Sequence, residues 1–180
     1  MCVLQRYLSS CNRAIKSRAY ASLVLPIAEY ANVAWSPHTA KDISATESIQ
    51  RRAIRFVFDD YSRTSGVSAM LADLNWQSLE EFRIINDLTM FYEINFNVVN
   101  ISFPAEINPG FQGTRRSHRY KFMPLSSSVN AYKYSFFPRT IPVWNGLPFT
   151  VIHSSSVNLF KASIVLNQRY LFIFLACVIF

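Results

Sequence analysis

Apolar side chains recur every three or four residues through the first hundred residues, and this spacing constrains the fold more than any other feature of the chain. Two such stripes come first: Leu4, Leu8, Cys11 and Ile15, then Ala19, Leu23, Ile27 and Tyr30. A repeat close to 3.6 residues is typical of helices that bury one face. The pattern therefore predicts a helical N-terminal half, with four or five helices over residues 3–96.

Three local signals divide this helical half. Pro26 lies inside the second apolar stripe, and we expect it to kink or split that helix because proline lacks a backbone donor and clashes one turn back. Further helices are predicted over 41–58 and from about residue 67 to 74. Ser78 and Glu81 then have the spacing of a capping box, which begins another helix.

The chain changes character after Asn97. Most of its prolines and three of its four glycines lie beyond residue 103. Turns are predicted at Pro142 and at Asn145–Gly146, with short extended segments between them. A last helix is expected after Ser156 as its cap. The predicted fold is therefore mainly α: a helical half, then an irregular half with a few short β-strands and a C-terminal helix.

Composition suggests three regions: a helical region over 1–96, a Pro/Gly-punctuated basic extension over 97–166, and an apolar tail over 167–180. The tail contains eleven consecutive apolar residues, 170–180. A membrane-spanning helix needs about 20 residues, so this run is too short to predict one. A membrane anchor, an aggregation-prone exposed end and a reading frame that continues into unrelated sequence remain alternatives for the tail.

Charge is unevenly distributed along the chain. Its formal net charge is +7, yet residues 1–106 hold 10 Lys/Arg against 11 Asp/Glu. No acidic residue follows Glu106, whereas eight basic residues do: Arg115, Arg116, Arg119, Lys121, Lys133, Arg139, Lys161 and Arg169. A region with only positive charges usually binds a phosphate backbone or an anionic surface. The second half therefore predicts a polyanionic partner.

Four segments carry a family resemblance: YASLVLPIAEYANVAWSPH, IQRRAIRFVFDDYSRTSGVSAMLADLNWQSLEEFR, TRRSHRYKF and YKYSFFPRTIPVWNGLP. In order and spacing they resemble the region after the polymerase palm in reverse transcriptases of jockey-like non-LTR retrotransposons. The resemblance covers roughly Val3 to Ala162. It implies a thumb-like region and a C-terminal extension that help to hold template RNA and the RNA/DNA primer–template. The palm, with its catalytic carboxylates, would lie upstream.

Asp59 and Asp60 look at first like the aromatic-x-Asp-Asp pair of a polymerase palm. The aromatic residue is misplaced, however, because Phe58 directly precedes Asp59 and the palm spacing would require it at Val57. We interpret the pair as solvated carboxylates in the turn after a helix, pairing with Arg55 or Arg63. No catalytic residue, metal site or cofactor is predicted, since the three histidines lie far apart and lack ligand spacing: His38, His118 and His153.

Two basic groups are the candidate nucleic-acid contacts. The first comprises Arg51, Arg52 and Arg55, which share one side of a predicted helix; the alternative is a solvated face paired with Asp42, Glu47, Asp59 or Asp60. The second lies in a predicted loop, with Phe111, Tyr120 and Phe122 interleaved, and comprises Arg115, Arg116, Arg119 and Lys121. Basic side chains with interleaved rings are typical of single-strand binding. A solvated or disordered loop is the alternative.

The remaining residues favour structural roles. Four aromatic residues are assigned to the core or an interface rather than to base stacking: Tyr134, Phe136, Phe137 and Trp144.

Three widely spaced cysteines indicate a reducing compartment, and the absence of a signal peptide favours the nucleus or cytoplasm. The sequence therefore predicts a nucleic-acid-binding fragment of an RNA-directed DNA polymerase, inactive alone, with the missing upstream domains as a further partner. The alternatives are a helical protein-interaction module with a basic face and a membrane-associated protein that uses the tail.

Overall fold

The computed structural model describes residues 2–62, 64–108, 110 and 120–166. Contacts divide the chain into two compact units, Met1–Arg83 and Ile84–Phe180. The first unit holds α1 (Cys2–Leu8), α2 (Arg13–Ala19), a π-helical turn (Tyr20–Val24), α3 (Leu25–Glu29), α4 (Asn32–Trp35), α5 (Ala40–Phe58) and α6 (Val67–Leu74). Helix α7 (Leu79–Asn95) begins in the first unit and ends in the second. The second unit continues with α8 (Asn130–Lys133), α9 (Phe136–Gly146), α10 (Phe149–Ile152) and α11 (Val157–Leu166).

The predicted mainly helical class is confirmed, and the predicted strands are not found. Within the described part of the chain, no segment after Asn97 forms a strand. The division between Arg83 and Ile84 lies inside α7. It falls there because the later part of this helix packs its apolar side chains, Ile85, Leu88 and Phe91, into the core of the second unit.

The capping box that was predicted for α7 is present. The Ser78 hydroxyl accepts a hydrogen bond from the Glu81 backbone amide at 3.1 Å, and the Glu81 carboxylate accepts one from the Ser78 amide at 3.2 Å. Such reciprocal bonds satisfy two backbone donors that the first turn of a helix leaves without partners. They fix the start of α7.

The break that was predicted at Pro26 takes the form of a π-helical turn directly before it. The Leu25 amide donates to the Tyr20 carbonyl, five residues back, instead of four. Pro26 then occupies the first turn of α3, where a missing donor costs little. The chain thus runs from Arg13 to Glu29 with one widened turn.

The core of the first unit is built mainly from the C-terminal part of α5. Tyr20, Met70 and Leu79 join four buried α5 residues, Ala53, Ile54, Phe56 and Val57. The Tyr20 ring stacks on Trp76, with 4.6 Å between ring centroids. Stacking of this kind adds to the free energy gained from apolar burial.

Most of the second predicted stripe does not enter this core. Leu23, Ile27 and Tyr30 are 57%, 76% and 79% exposed. Periodicity identifies an apolar helix face but cannot say what covers it. The first unit therefore presents an uncovered apolar face on the π-helical turn, α3 and the residue after α3.

Phe91 of α7 lies at the centre of the second unit's core. Its ring contacts Phe122 edge-on at 5.0 Å and Trp144 at 4.8 Å between centroids. Residues of α9, α10 and α11, with Leu147 between α9 and α10, complete the cluster: Ile141, Trp144, Leu147, Val151, Ile152, Phe160 and Ile164. The assignment of Trp144 to the core is confirmed, and Phe136 and Phe137 pack against it half-buried.

The prediction of turns and extended segments at Pro142 and at Asn145–Gly146 was wrong, because Phe136–Gly146 is helical. Pro142 lies inside this helix, where it removes one backbone bond. Packing outweighs that cost: Ile141 and Trp144 flank the proline and are fully buried. Burial of two such side chains gives roughly 3–6 kcal/mol, against about 3 kcal/mol for an interior proline.

The predicted last helix is present as α11. Its cap is also as expected, since the Ser156 hydroxyl accepts from the Leu159 amide at 3.3 Å. Phe160 and Ile164 are buried, whereas Leu159 is 55% exposed. The α11 helix therefore turns a narrower apolar face to the core than its sequence indicates.

Candidate nucleic-acid interface

The three arginines of the first group all lie on α5. Arg51 and Arg52 are exposed, and Arg55 is half-buried. The Arg52 guanidinium donates to the Ser48 carbonyl at 3.2 Å and to the Ser48 hydroxyl at 3.1 Å. The Arg55 guanidinium donates to the Ser62 carbonyl across the turn that follows the helix. Arg51 and Arg52 thus face solvent, while Arg55 ties the helix end to the next segment.

The acidic residues that could have neutralised this face bind elsewhere. Glu47 lies 3.7 Å from the Arg83 guanidinium and accepts from the Glu80 amide at 2.8 Å. Asp42 accepts from the Thr39 hydroxyl at 2.6 Å. Asp59 binds a lysine of α2. A polyanion approaching α5 would therefore meet Arg51 and Arg52 with those carboxylates already engaged.

Asp59 is held by Lys16, a contact that the sequence did not predict. The Lys16 ammonium donates to both carboxylate oxygens of Asp59 at 2.6 Å. Asp59 ends α5 in the left-handed region, with φ 54°. Lys16 is fully buried and also lies 4.9 Å from the centre of the Phe56 ring. Asp59 thus contacts α2 and not Arg55 in the described part of the chain. The alternative partner, Arg63, lies outside the described residues.

Asp60 has a different role in the same turn. Its carboxylate accepts from the Ser62 amide at 2.9 Å. Hydrogen bonds from Ser65 and Ser62 lower the pKa of Asp60, and the charge of Arg55 acts in the same direction. The two adjacent aspartates therefore face different partners and do not converge on one point.

Of the second group, only Lys121 lies in the described part of the chain. Arg115, Arg116 and Arg119 fall outside it, as does Phe111. The Lys121 side chain is half-buried, and its carbonyl accepts from the Gly110 amide at 3.0 Å. Lys121 directly follows Tyr120 in the sequence.

Phe122 belongs to the core and cannot stack on a base. Its side chain is fully buried, and Asn145 holds its backbone on both sides. The Asn145 carbonyl oxygen accepts from the Phe122 amide at 2.9 Å, while the Asn145 amide donates to the Phe122 carbonyl at 2.8 Å. The interpretation of Phe122 as one of the interleaved base-binding rings was therefore wrong, because this ring packs against Phe91 in the core.

Arg139 is among the eight basic residues of the second half, but it serves the fold. Its guanidinium donates to both carboxylate oxygens of Asp87, at 2.9 and 3.0 Å. A further bond reaches the Tyr134 carbonyl at 3.1 Å. Such two-pronged pairs are stronger and more directional than a single ion contact. The Arg139 side chain on α9 therefore links this helix to Asp87 on α7.

Sequence reasoning missed a row of stacked rings at the surface of the second unit. The Tyr120 and Phe149 rings are 6.2 Å apart with planes 17° from parallel, and the Phe149 and His153 rings are 5.3 Å apart at 26°. Phe149 is 45% exposed and His153 is exposed. The spacing of Phe149 and His153, four residues apart, was the available signal; Tyr120 is remote in sequence.

Comparisons with known proteins identify no relative. No family model, curated protein or solved structure matches this chain.

Two searches of the described residues concern other kinds of site. Among them, no group of three or more His, Cys, Asp or Glu side chains is arranged to hold a metal ion. In the same part of the chain, no helix combines the length and the apolar character needed to cross a bilayer. The apolar tail, 167–180, lies outside this part of the chain.

Proposed function

We propose that this chain binds nucleic acid as the post-palm fragment of an RNA-directed DNA polymerase of the non-LTR retrotransposon type, without catalytic activity of its own. The resemblance of its four segments motivates the proposal. The partner would be single-stranded RNA or an RNA/DNA primer–template, with the upstream polymerase domains as a second partner.

The observation that carries the proposal is the charge of the second unit. From residue 84 onward there are eight lysines and arginines against three acidic residues, Asp87, Glu93 and Glu106. Asp87 is neutralised within the fold by Arg139. The remaining basic residues outnumber the remaining acidic ones, and such a field attracts a phosphate backbone.

Two arginines of the first unit support the same proposal. Arg51 and Arg52 project from one helix into solvent. Their guanidinium groups offer forked donors that match phosphate oxygens. Both units thus present basic side chains suited to a nucleic-acid backbone.

Salt dependence of binding tests the proposal. Labelled single-stranded RNA and a short RNA/DNA primer–template should bind with affinities that fall steeply as salt rises. Each neutralised phosphate contributes about −0.9 to the log–log slope on a duplex and about −0.7 on a single strand. Fluorescence anisotropy between 50 and 300 mM salt, roughly the range over which such slopes are read, would give the slope. Affinity that ignores salt would contradict the proposal.

A helical protein-interaction module is the second candidate function. It is favoured by the uncovered apolar face of the first unit, where Leu23, Ile27 and Tyr30 are all more than half exposed. Exposed apolar clusters often mark protein contacts. Weak binding to strands and duplexes, with tight and salt-insensitive binding to a purified protein, would favour this candidate over the first.

A further inference from the structure

We propose that Tyr120, Phe149 and His153 form a platform on which the unpaired bases of a single-stranded nucleic acid stack. This inference rests on the proposed nucleic-acid binding and adds to it the part of the ligand that is recognised. Basic side chains account for contacts to phosphate; the platform accounts for contacts to bases.

The geometry of the three rings suits stacking. Their planes lie within 17° and 26° of parallel across the two neighbouring pairs, so the row presents rings of similar orientation. The central ring, Phe149, is 45% exposed, although an apolar ring of this size is ordinarily covered. Because the three rings stack on one another, a base would lie against the parts that remain exposed, on Phe149 and His153.

The platform is fixed to the core at several points. The Trp144 indole donates to the Tyr120 carbonyl at 2.8 Å, which holds the segment that carries Tyr120. Val151 and Ile152, on the same helix as Phe149, are buried. The Tyr92 hydroxyl donates to the Ser154 carbonyl at 2.6 Å, directly after His153. Rings held in advance lose little conformational entropy on binding.

The charge of the sequence that carries the three rings favours a polyanionic occupant. Lys121 directly follows Tyr120, and no acidic residue occurs between residues 107 and 180. Aromatic rings for bases together with positive charge for phosphates are the combination that binds single strands with little sequence preference. A base-paired duplex hides its base faces, so the platform favours single strands.

The test measures how variants of the full chain bind a fluorescent oligouridine RNA. The RNA is about 20 nucleotides long, which is roughly one binding-site length or more. Phe149→Leu keeps an apolar side chain and removes the ring; Phe149→Trp keeps a ring. Leu159→Ala is the matched control, because Leu159 is an exposed apolar residue of the same unit, 55% exposed. Inorganic polyphosphate serves as a probe without bases, and thermal melts check that each variant folds.

Phe149→Leu should weaken RNA binding by roughly 5- to 150-fold, the range expected for loss of one base–ring stack. Phe149→Trp should bind RNA at least as tightly as the wild type, and Leu159→Ala should bind like it. Polyphosphate binding should be the same in all four proteins. The salt slope for RNA should stay unchanged in Phe149→Leu because no phosphate contact is lost.

Five results would overturn the platform, and they have different meanings for the proposed function. If Phe149→Leu binds RNA like the wild type, or if it loses polyphosphate binding equally, the rings do not stack on bases and phosphate binding remains. If the wild type prefers a matched duplex to the single strand, the platform is likewise refuted alone. If the wild type binds neither RNA nor polyphosphate, both the platform and the proposed nucleic-acid binding are refuted. Tight, salt-insensitive binding of a purified protein that depends on Phe149 would instead assign the rings to protein contact.

Discussion

Lys16 and Asp59 form an ion pair of unequal exposure: the ammonium is fully buried, whereas the carboxylate is 64% exposed. Both carboxylate oxygens lie 2.6 Å from the Lys16 nitrogen. The contact joins residues that are 43 positions apart and fixes α2 against the end of α5. Because only the lysine is shielded from water, mutating the lysine and mutating the aspartate should change the free energy of unfolding by different amounts.

Asp59→Asn should destabilise the protein more than Lys16→Met does. Loss of the carboxylate charge leaves a buried ammonium without its counter-charge, at a cost of about 1–3 kcal/mol in the free energy of unfolding. Loss of the lysine leaves an exposed carboxylate that water can solvate, and methionine refills the buried space. Urea unfolding followed by circular dichroism measures both.

The double variant Lys16→Met with Asp59→Asn provides the control for this pair. It should be more stable than Asp59→Asn alone, since it no longer buries an unpaired charge. A double variant less stable than either single one would show that the ion pair is not the source of the asymmetry.

Arg139 should matter for stability and not for nucleic-acid binding. Arg139→Gln removes the two-pronged bond to Asp87 and should cost about 3–5 kcal/mol in the free energy of unfolding, as is typical when one partner of a largely buried pair is removed. Lys121→Gln is the comparison variant, which also removes one positive charge from the second unit. It should flatten the single-strand salt slope by about 0.7 and leave unfolding nearly unchanged. The reverse pattern would contradict the two assignments.

The basic groups should contribute separately to the salt slope. Changing Arg115, Arg116 and Arg119 together to alanine should flatten the slope on single strands by about 2, whatever the sequence of the nucleic acid. Changing Arg51 and Arg52 should flatten it by about 1.4 at little cost in stability.

Arg55 distinguishes binding from folding within the first group. It donates to the Ser62 carbonyl, so Arg55→Ala should lower the melting temperature more than Arg51→Ala does. Equal melting temperatures for the two variants would show that the Arg55 contact does not stabilise the turn. Melts run beside the binding titrations separate the two effects.

The pH dependence of stability should contain a contribution from Glu29. Burial raises the pKa of Glu29 from its ordinary value of 4.5 to about 7. Since the folded protein holds this proton more tightly than the unfolded chain, the stabilisation is complete below pH 4.5 and is lost as pH rises through about 7. After allowance for solvent screening, we expect about 1–3 kcal/mol over this interval.

Glu29→Gln removes this titration and is the control for it. Melting temperatures between pH 4.5 and 8, the interval set by the ordinary and the raised pKa, should fall less steeply in the variant than in the wild type. Parallel curves for the two proteins would mean that Glu29 titrates at its ordinary pKa.

The chain alone should not extend a primer on an RNA template, with magnesium or with manganese. Its two adjacent aspartates have separate partners, Lys16 for Asp59 and Ser62 for Asp60. Asp59→Ala with Asp60→Ala should therefore change stability, through the loss of the Lys16 contact, and no polymerase activity. Template-dependent nucleotide incorporation that disappears in the double variant would contradict this interpretation.

Local signals in the sequence predicted local structure well. The capping boxes and caps at Ser78 and Ser156 depend on residues three positions apart, so the relevant partners are visible in the sequence. The break at Pro26 follows from the chemistry of a single residue. Such features are decided within one turn of helix.

Features decided by distant contacts were not predictable. Pro142 signals a turn locally, yet burial of Ile141 and Trp144 in a core made from four helices keeps it helical. The Lys16–Asp59 pair and the Tyr120–Phe149 stack join residues that only the folded chain brings together. The basic residues of the proposed site therefore come from the sequence and stay a prediction, whereas its stacked rings are visible only in the structure.

The widened turn before Pro26 fixes the angular phase between the two ends of the Arg13–Glu29 segment. A π-helical turn holds one residue more than an α-helical turn at nearly the same place along the axis. Deletion of one residue from Tyr20–Val24 would restore a regular helix and leave α3 in nearly its present orientation about the axis relative to Lys16. Leu23 and Ile27, three or four positions apart in the shorter chain, would still lie on one side of that helix. The extra residue therefore widens one turn without interrupting the uncovered apolar face.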